Sequence, residues 1–199
     1  MSNVSRPVRI GTLVVLGYCS LLQLLPQANL LNYYYAFAVA LCLPLTVAIV
    51  IARDTAPEDS TLQLPRAAAI TLWLALLPLI PVGVSALFVA NCAPSLGFMH
   101  YLLGPVVGSI VALGVGLSAR QLMPKGPTKV VLIFWISLIF ANIYWFYTRP
   151  PIYAFNIFIG YLNGAIYDPV VRVSAAWSEF RAVSVMVGLG YIFSSRLSS

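Results

Sequence analysis

The sequence predicts an all-α, polytopic integral membrane protein, and three observations lead to this fold class. Hydrophobic residues make up 61% of the 199 residues and charged residues only 8%, whereas an average soluble domain carries roughly 25% charge. A water-soluble globule of this length could not enclose so much apolar surface. The long apolar segments between the polar stretches contain almost no charge, and runs of about 18 or more apolar residues are typical of transmembrane helices.

Six segments are predicted to span the membrane within a single transmembrane domain that covers residues 1–199. The first segment follows Arg6 and Arg9, but no small-residue cleavage site follows it, so we interpret it as an uncleaved helix. Pro78 and Pro81 are expected to kink the third span, because each removes a backbone donor and crowds the preceding turn. The predicted spans lie near 8–25, 33–52, 67–90, 100–118, 130–148 and 174–193.

The segment 152–167 has three interpretations, because Asn156, Gly160, Asn163 and Gly164 interrupt its apolar run. It is an interfacial segment, a re-entrant segment or an extra span, which would be the seventh. Its short length and its Asn and Gly content favour six spans. Broken backbone at membrane depth is tolerated only where protein or water satisfies its polar groups.

The distribution of basic residues predicts the orientation. If the N-terminus is cytoplasmic, most loop arginines and lysines fall on the cytoplasmic side, and the first two opposite loops contain neither residue, as the positive-inside rule requires. With six spans the C-terminus is also cytoplasmic. Arg149 and Arg172 are then exceptions to the rule, because both lie on the opposite side of the membrane. We therefore expect a multi-pass protein of a bacterial cytoplasmic (inner) membrane. The residues that obey the rule are Arg6, Arg9, Arg53, Arg66, Arg120, Lys125 and Lys129.

The formal net charge of +6 does not indicate a nucleic-acid partner. The eleven basic residues lie singly or in pairs at the ends of apolar segments instead of forming a patch, and such positions carry orientation signals. The expected partners are the lipid bilayer and either other membrane protein subunits or a second copy of this chain.

Small residues recur at every fourth position of the fourth predicted span. In a helix, Gly104, Gly108, Ala112 and Gly116 form one smooth ridge, which allows another helix backbone to approach closely. The leading interpretation is packing within the chain. Contact with a partner subunit is the second interpretation, and a groove for a lipid or pigment tail is the third.

Charged residues inside the last predicted span form a candidate polar pathway or ion pair. A charge at mid-bilayer costs about 3 kcal/mol on insertion scales, and the spacing of Glu179 and Arg181 places them about 200° apart on a helix, so they do not pair. Either both lie near the interface, where a long arginine can snorkel, or each has a buried partner. Asp168 and Arg172 are a second candidate pair, at positions i and i+4.

His100 is the single histidine and a weak candidate ligand for a metal or pigment. A zinc site needs several His or Cys ligands, and a haem held by two histidines needs a second one. The default interpretation is an interfacial side chain. We predict no metal site and no cofactor, and bound lipid or pigment stays open.

The leading functional hypothesis is a membrane-embedded structural or accessory subunit, a scaffold that packs against a larger protein complex. The sequence contains no His-Glu-x-x-His motif, no Gly-x-Ser-x-Gly elbow and no phosphate-binding glycine loop with a lysine, so no catalytic residue is assigned and we do not expect an enzyme. The alternative is a small transporter or channel component that uses Glu179 and Arg181. A membrane enzyme acting on lipid ranks third. Further candidates for these two alternatives are Asn142, Asn156 and Asn163 for the pathway, and Tyr167, Asp168 and Arg172 for the enzyme.

Overall fold

A computed structural model describes residues 5–54, 60–148, 154–162 and 173–197, and these residues are predominantly helical. Four helical stretches among them are long and apolar enough to cross a membrane: Tyr33–Arg53, Gln63–Ser85, Pro94–Leu122 and Pro127–Trp145. The described part of the chain is therefore that of a predominantly helical membrane protein. Its helices are α1 (Arg6–Leu22), α2 (Tyr33–Arg53), α3 (Ser60–Leu76), α4 (Leu79–Ser85), α5 (Pro94–Tyr101), α6 (Val107–Leu122), α7 (Pro127–Thr148) and α8 (Ala175–Leu197).

The four apolar stretches correspond to the predicted spans 33–52, 67–90, 100–118 and 130–148. The fourth begins earlier than predicted, at Pro94, because α5 continues into α6 through a π-helical segment, Leu102–Val106. The predicted spans 8–25 and 174–193 correspond to α1 and α8. Helix α1 has 17 residues, and α8 carries Glu179 and Arg181 in its first half.

The helix α6 is central, and α2 runs beside it in the same direction. At one end of the pair, a Cβ atom on Gly104 would lie 4.0 Å from the carbonyl oxygen of Ala36. At the other end, Nη1 of Arg120 donates a 2.8 Å hydrogen bond to the carbonyl of Asp54. Because residue numbers rise together along both helices, α2 and α6 are parallel.

The helix α8 packs on another side of the same helical stretch, also in parallel. The rings of His100 and Trp177 stack with centroids 5.3 Å apart, and further along a Cβ on Gly114 would lie 2.8 Å from Cβ of Tyr191. The C-terminal ends of α2, α6 and α8 therefore point toward the same end of the bundle.

That end of the bundle holds the charged network, and we call it the basic end, defined by Arg6, Arg53, Asp54, Arg66 and Arg120. The buried Asp54 carboxylate accepts hydrogen bonds from Nε of Arg66 at 2.7 Å and from its Nη2 at 3.1 Å. Asp54 also accepts a 2.6 Å hydrogen bond from the hydroxyl of Ser5. These contacts join the start of α1 and the start of α3 to the end of α2.

The third apolar stretch is interrupted at Pro78, where α3 ends and α4 begins. Proline has no backbone N–H and cannot continue the regular helical hydrogen-bond pattern. Two buried tyrosines supply donors there: the hydroxyl of Tyr35 donates to the carbonyl of Pro78, and that of Tyr101 donates to the carbonyl of Ala75. The interruption lies where the prolines predict a kink, and hydroxyl groups from α2 and α5 satisfy the exposed backbone.

The described part of the segment 152–167 is a β-hairpin. Strand β1 (Ala154–Asn156) pairs antiparallel with β2 (Gly160–Leu162). The side-chain oxygen of Asn156 accepts hydrogen bonds from the backbone N–H groups of Phe158 and Ile159, at 2.9 and 3.0 Å, and closes the turn. Gly160 has φ of +95°, a conformation that glycine adopts without steric cost. Residues 154–162 are therefore not helical, and the rest of 152–167 lies outside the described residues.

Candidate functional site

The guanidinium group of Arg181 is the most buried charge in the described chain, and it lies where α8 meets the π segment and the hairpin. The residue is only 1% exposed. Its Nη2 donates to the carbonyl of Gly104 at 2.6 Å, and its Nη1 donates to the carbonyls of Ile157 at 2.8 Å and Asn156 at 3.4 Å. Its Nε donates to the carbonyl of Leu103. Backbone oxygens from two separate segments therefore surround this cation.

The π segment explains why carbonyl groups of the central helix are available to Arg181. Pro105 lies inside it and has no N–H, so the regular bond from residue 105 to the carbonyl of Tyr101 cannot form. The N–H of Val107 bonds instead to the carbonyls of Leu102 and Gly104. The wider turn therefore interrupts the regular α-helical hydrogen bonds of the central helix where it faces α8. Single π turns inside α-helices occur frequently at functional sites.

The hairpin turn reaches Arg181 on one side and α6 on the other. A Cβ atom on Gly108 would lie only 2.1 Å from the carbonyl oxygen of Phe158, so this position excludes any side chain while the hairpin is in place. The ring of Phe158 is 1% exposed, and its centroid lies 4.5 Å from that of Trp135 on α7. The hairpin thus packs against α6, α7 and α8.

The predicted glycine ridge lies against other parts of this chain. Gly104 and Gly108 face the hairpin and α2, and Ala112 is fully buried. A Cβ atom on Gly116 would lie 2.8 Å from the carbonyl oxygen of Ala48 on α2. These positions of the ridge therefore lie against the hairpin and α2 of the same chain.

Sequence reasoning missed a second close crossing, between α6 and α8. A Cβ atom on Gly114 would lie 2.7 Å from the carbonyl oxygen of Gly188, and one on Gly188 would lie 3.1 Å from Cα of Val111. The signal was present as a glycine in each helix. However, Gly114 does not belong to the four-residue repeat, so its close contact is recognised only from the position of α8.

His100, predicted as an interfacial side chain, is buried in an aromatic cluster. Its ring stacks on Trp177 and meets the edge of Tyr33 with centroids 5.6 Å apart. Within the described ranges, no group of three or more His, Cys, Asp or Glu side chains lies close enough to hold a metal ion. The cluster lies next to the Arg181 site, since Trp177 is one turn before Arg181 on α8 and a Cβ atom on Gly160 would lie 3.4 Å from Nε1 of Trp177 and 3.6 Å from Cζ of Arg181.

Glu179 and Arg181 have opposite environments, a difference that was not predicted from the sequence. Glu179 is exposed on the outward face of α8, whereas Arg181 is enclosed. The ion pair between Arg66 and Asp54 is the single one found in the described part of the chain. Asp168 and Arg172, and with them Tyr167 and Asn163, lie outside the described residues.

In the described part of the site, backbone carbonyls accept the hydrogen bonds of the Arg181 charge. A guanidinium is a donor only, and these four acceptors of Arg181 are main-chain oxygens. Asn156 is engaged in closing the hairpin, and Asn142 donates to the carbonyl of Leu138 in its own helix at 2.7 Å. The arrangement can fix the positions of three segments relative to one another. No protein-family model, curated protein or solved structure matches this chain significantly.

Proposed function

We propose that the protein is a structural or accessory subunit of a larger membrane complex and that it spans the bilayer six times. The argument for α1 is its pairing with α2 in the opposite direction. Ser5 bonds to Asp54 at the basic end, and the hydroxyl of Tyr18 donates to the carbonyl of Ala38 at 2.9 Å. Helix α1 therefore follows most of the length of a helix that is long enough to cross.

The same argument supports α8 as the sixth span, because it follows the central stretch from His100 to Gly114. The hairpin then fits a re-entrant segment. Its turn reaches Gly108, near the middle of Pro94–Leu122, and its two strands run in opposite directions, so the chain returns to the end from which it came. Asn156 and Arg181 form hydrogen bonds with backbone groups of its turn, as non-helical backbone at membrane depth requires.

The positive-inside rule supports a cytoplasmic location for the basic end. The start of α1 and the end of α2 meet there through Ser5 and Asp54, and α8 runs toward the same end as α6. Both termini then face the cytoplasm, and a bacterial inner membrane fits the orientation. The opposite end carries the uncharged connection between α4 and α5.

The observation that carries the partner proposal is the exposed carboxylate of Glu179. It lies level with the π segment, about 12 Å along the helical stretch that starts at Pro94. That stretch of 29 residues is about 43 Å long, against a hydrocarbon thickness of about 30 Å. If it is centred, Glu179 lies about 5 Å inside the hydrocarbon region, where an uncompensated charge costs a few kcal/mol.

A neighbouring transmembrane helix with a lysine, an arginine or another hydrogen-bond donor at this depth would offset that cost. The outward face of α8 is also suitable for such a helix, because Gly190 has open space around it and Val183 and Met186 are more than half exposed. Arg181 itself is engaged with backbone carbonyls, which favours a structural subunit over a transport pathway. The transporter and lipid-enzyme hypotheses stay predictions.

The proposal is tested by mass spectrometry of the protein purified from native membranes in mild detergent. We expect a partner protein at a constant ratio, and at least about tenfold less of it with Glu179→Ala. Ser178→Ala, an exposed neighbour on the same turn, is the matched control and should retain the partner. Gel filtration and circular dichroism check that each variant is folded.

Wild-type protein that purifies alone or only with itself would contradict the accessory-subunit proposal. The next experiment would then be a flux assay in proteoliposomes with Glu179→Gln. Loss of flux in that variant would favour the transporter alternative.

A further inference from the structure

A groove between α1 and α2 opens at the basic end, apart from the Arg181 site. Its volume is about 510 Å³. Arg6 at the start of α1 and Arg53 at the end of α2 flank one end of it, while Pro7, Ile10, Val14 and Ile49 form much of its wall. The groove therefore has a cationic mouth and an apolar body.

The groove is open to the surroundings of the bundle. Ile10 and Val14 are about half exposed, at 50% and 47%. From Arg6 to Val14 the wall follows about 12 Å of helix, at 1.5 Å per residue. If α1 and α2 cross the bilayer, the apolar body lies in the hydrocarbon region and the two arginines lie at its boundary. An acyl chain would enter sideways from the bilayer.

Among the residues that the structure describes, no carboxylate lines the cationic mouth. The nearby acid, Asp54, already accepts two hydrogen bonds from Arg66. Nε of Arg53 donates to the hydroxyl of Thr128 at 2.7 Å, which holds the guanidinium at the junction of α2 and α7. Two guanidinium groups at the rim of an apolar groove are complementary to an anionic headgroup attached to an acyl chain.

We infer that this groove binds an anionic phospholipid, with its phosphate at Arg6 and Arg53 and one acyl chain along Ile10, Val14 and Ile49. Guanidinium groups bind phosphate oxygens with paired hydrogen bonds. Basic pockets between transmembrane helices on the cytoplasmic side are a recurrent location for anionic lipid headgroups. The inference rests on the proposed transmembrane position of α1, and it is independent of any partner subunit.

The experiment titrates the purified protein in mild detergent with phosphatidylglycerol or phosphatidylcholine of identical acyl chains, followed by native mass spectrometry. We expect phosphatidylglycerol to bind about tenfold more tightly than phosphatidylcholine. In the double variant Arg6→Gln/Arg53→Gln, phosphatidylglycerol binding should weaken about thirtyfold, since each basic residue near a membrane surface contributes several-fold to affinity. Arg9→Gln/Lys125→Gln removes the same charge at this end, outside the groove lining, and is the matched control.

A third variant separates a lipid site from a site for phosphate alone. Val14→Trp adds a bulky side chain to the exposed wall and should weaken phosphatidylglycerol binding while both arginines remain. Inorganic phosphate at the same concentration should not displace the lipid. The inference is overturned if the two lipids bind equally, if both double variants weaken binding alike, or if phosphate competes fully and Val14→Trp has no effect. Each readout is lipid mass on this chain, so it does not depend on whether a partner co-purifies.

Discussion

The Nη2 atom of Arg181 lies 2.6 Å from the carbonyl oxygen of Gly104, a residue 77 positions earlier in the chain. This contact joins α8 to the π segment of the central helix. The same principle recurs where Tyr35 and Tyr101 donate to carbonyls around Pro78. In each case a buried donor bonds to backbone oxygens at a place where a proline interrupts a helix.

Replacing Arg181 by methionine should lower the free energy of unfolding by about 2–4 kcal/mol, because buried carbonyls lose a charged donor. Arg181→Lys should lose less, since an ammonium group keeps three donors but cannot match the planar fork. Arg9→Met, at an exposed position, should stay within about 0.5 kcal/mol of wild type. Denaturation in mixed detergent micelles, followed by circular dichroism, measures all three. Equal stability of Arg181→Met and wild type would contradict the role assigned to this residue.

Gly108→Ala and Gly17→Ala should have opposite effects, although both glycines lie in helices. A Cβ atom on Gly108 would meet the carbonyl of Phe158 at 2.1 Å, whereas no atom lies within 4 Å of one on Gly17. We expect Gly108→Ala to destabilise the protein by about 1–3 kcal/mol through overpacking. Gly17→Ala should stabilise it by up to about 1 kcal/mol, because alanine favours a helix. The same unfolding assay applies, and a neutral Gly108→Ala would show that the hairpin does not press against α6.

Asp54→Ala should destabilise the basic end by about 1–2 kcal/mol, because Ser5 and Arg66 lose a shared acceptor. The coupling energy with Arg66→Ala, from a double-mutant cycle, should be only about 0.5–1 kcal/mol and should fall as salt is added. The Arg66 side chain is 41% exposed, so water screens much of the attraction. A coupling energy near zero at low salt would mean that the ion pair contributes nothing to stability.

Asn156→Ala should destabilise the protein by about 1–3 kcal/mol, whereas Asn142→Ala should change stability by no more than about 0.5 kcal/mol. The oxygen of Asn156 satisfies two backbone N–H groups in the hairpin turn, and the residue is buried. Asn142, by contrast, donates to the carbonyl of Leu138 in its own helix. Thermal unfolding of the matched pair distinguishes them. Equal effects would show that the turn does not depend on this side chain.

The proposed orientation predicts which cysteine a membrane-impermeant maleimide labels in intact cells. Cys92 is exposed between α4 and α5, at the end opposite the basic end, whereas Cys19 is buried. Labelling should therefore occur and should disappear in Cys92→Ser. In that background, Lys125→Cys should react only after the cells are permeabilised. The reverse pattern would invert the topology.

The sequence by itself determined the features that depend on composition and on local spacing. Apolar runs place helices in the bilayer because transfer from water to lipid depends on each segment's own residues. Likewise, a spacing of two residues places Glu179 and Arg181 about 200° apart around the helix, so the sequence excludes a direct ion pair between them. The four-residue repeat of small side chains likewise predicts a smooth ridge along the fourth span.

Only the tertiary structure decided which groups meet. The acceptors of Arg181, the π segment around Pro105, the hairpin within 152–167 and the crossing at Gly114 depend on residues far apart in sequence. Helix periodicity shows which side chains share a face, but it does not show which other segment covers that face. In a bilayer, lipid tails are as apolar as the side chains of a neighbouring helix. Hydrophobicity therefore does not determine which segment of the chain packs against a given helix face. Close packing and the need to satisfy every buried polar group make that selection, and both arise only when the whole chain is folded.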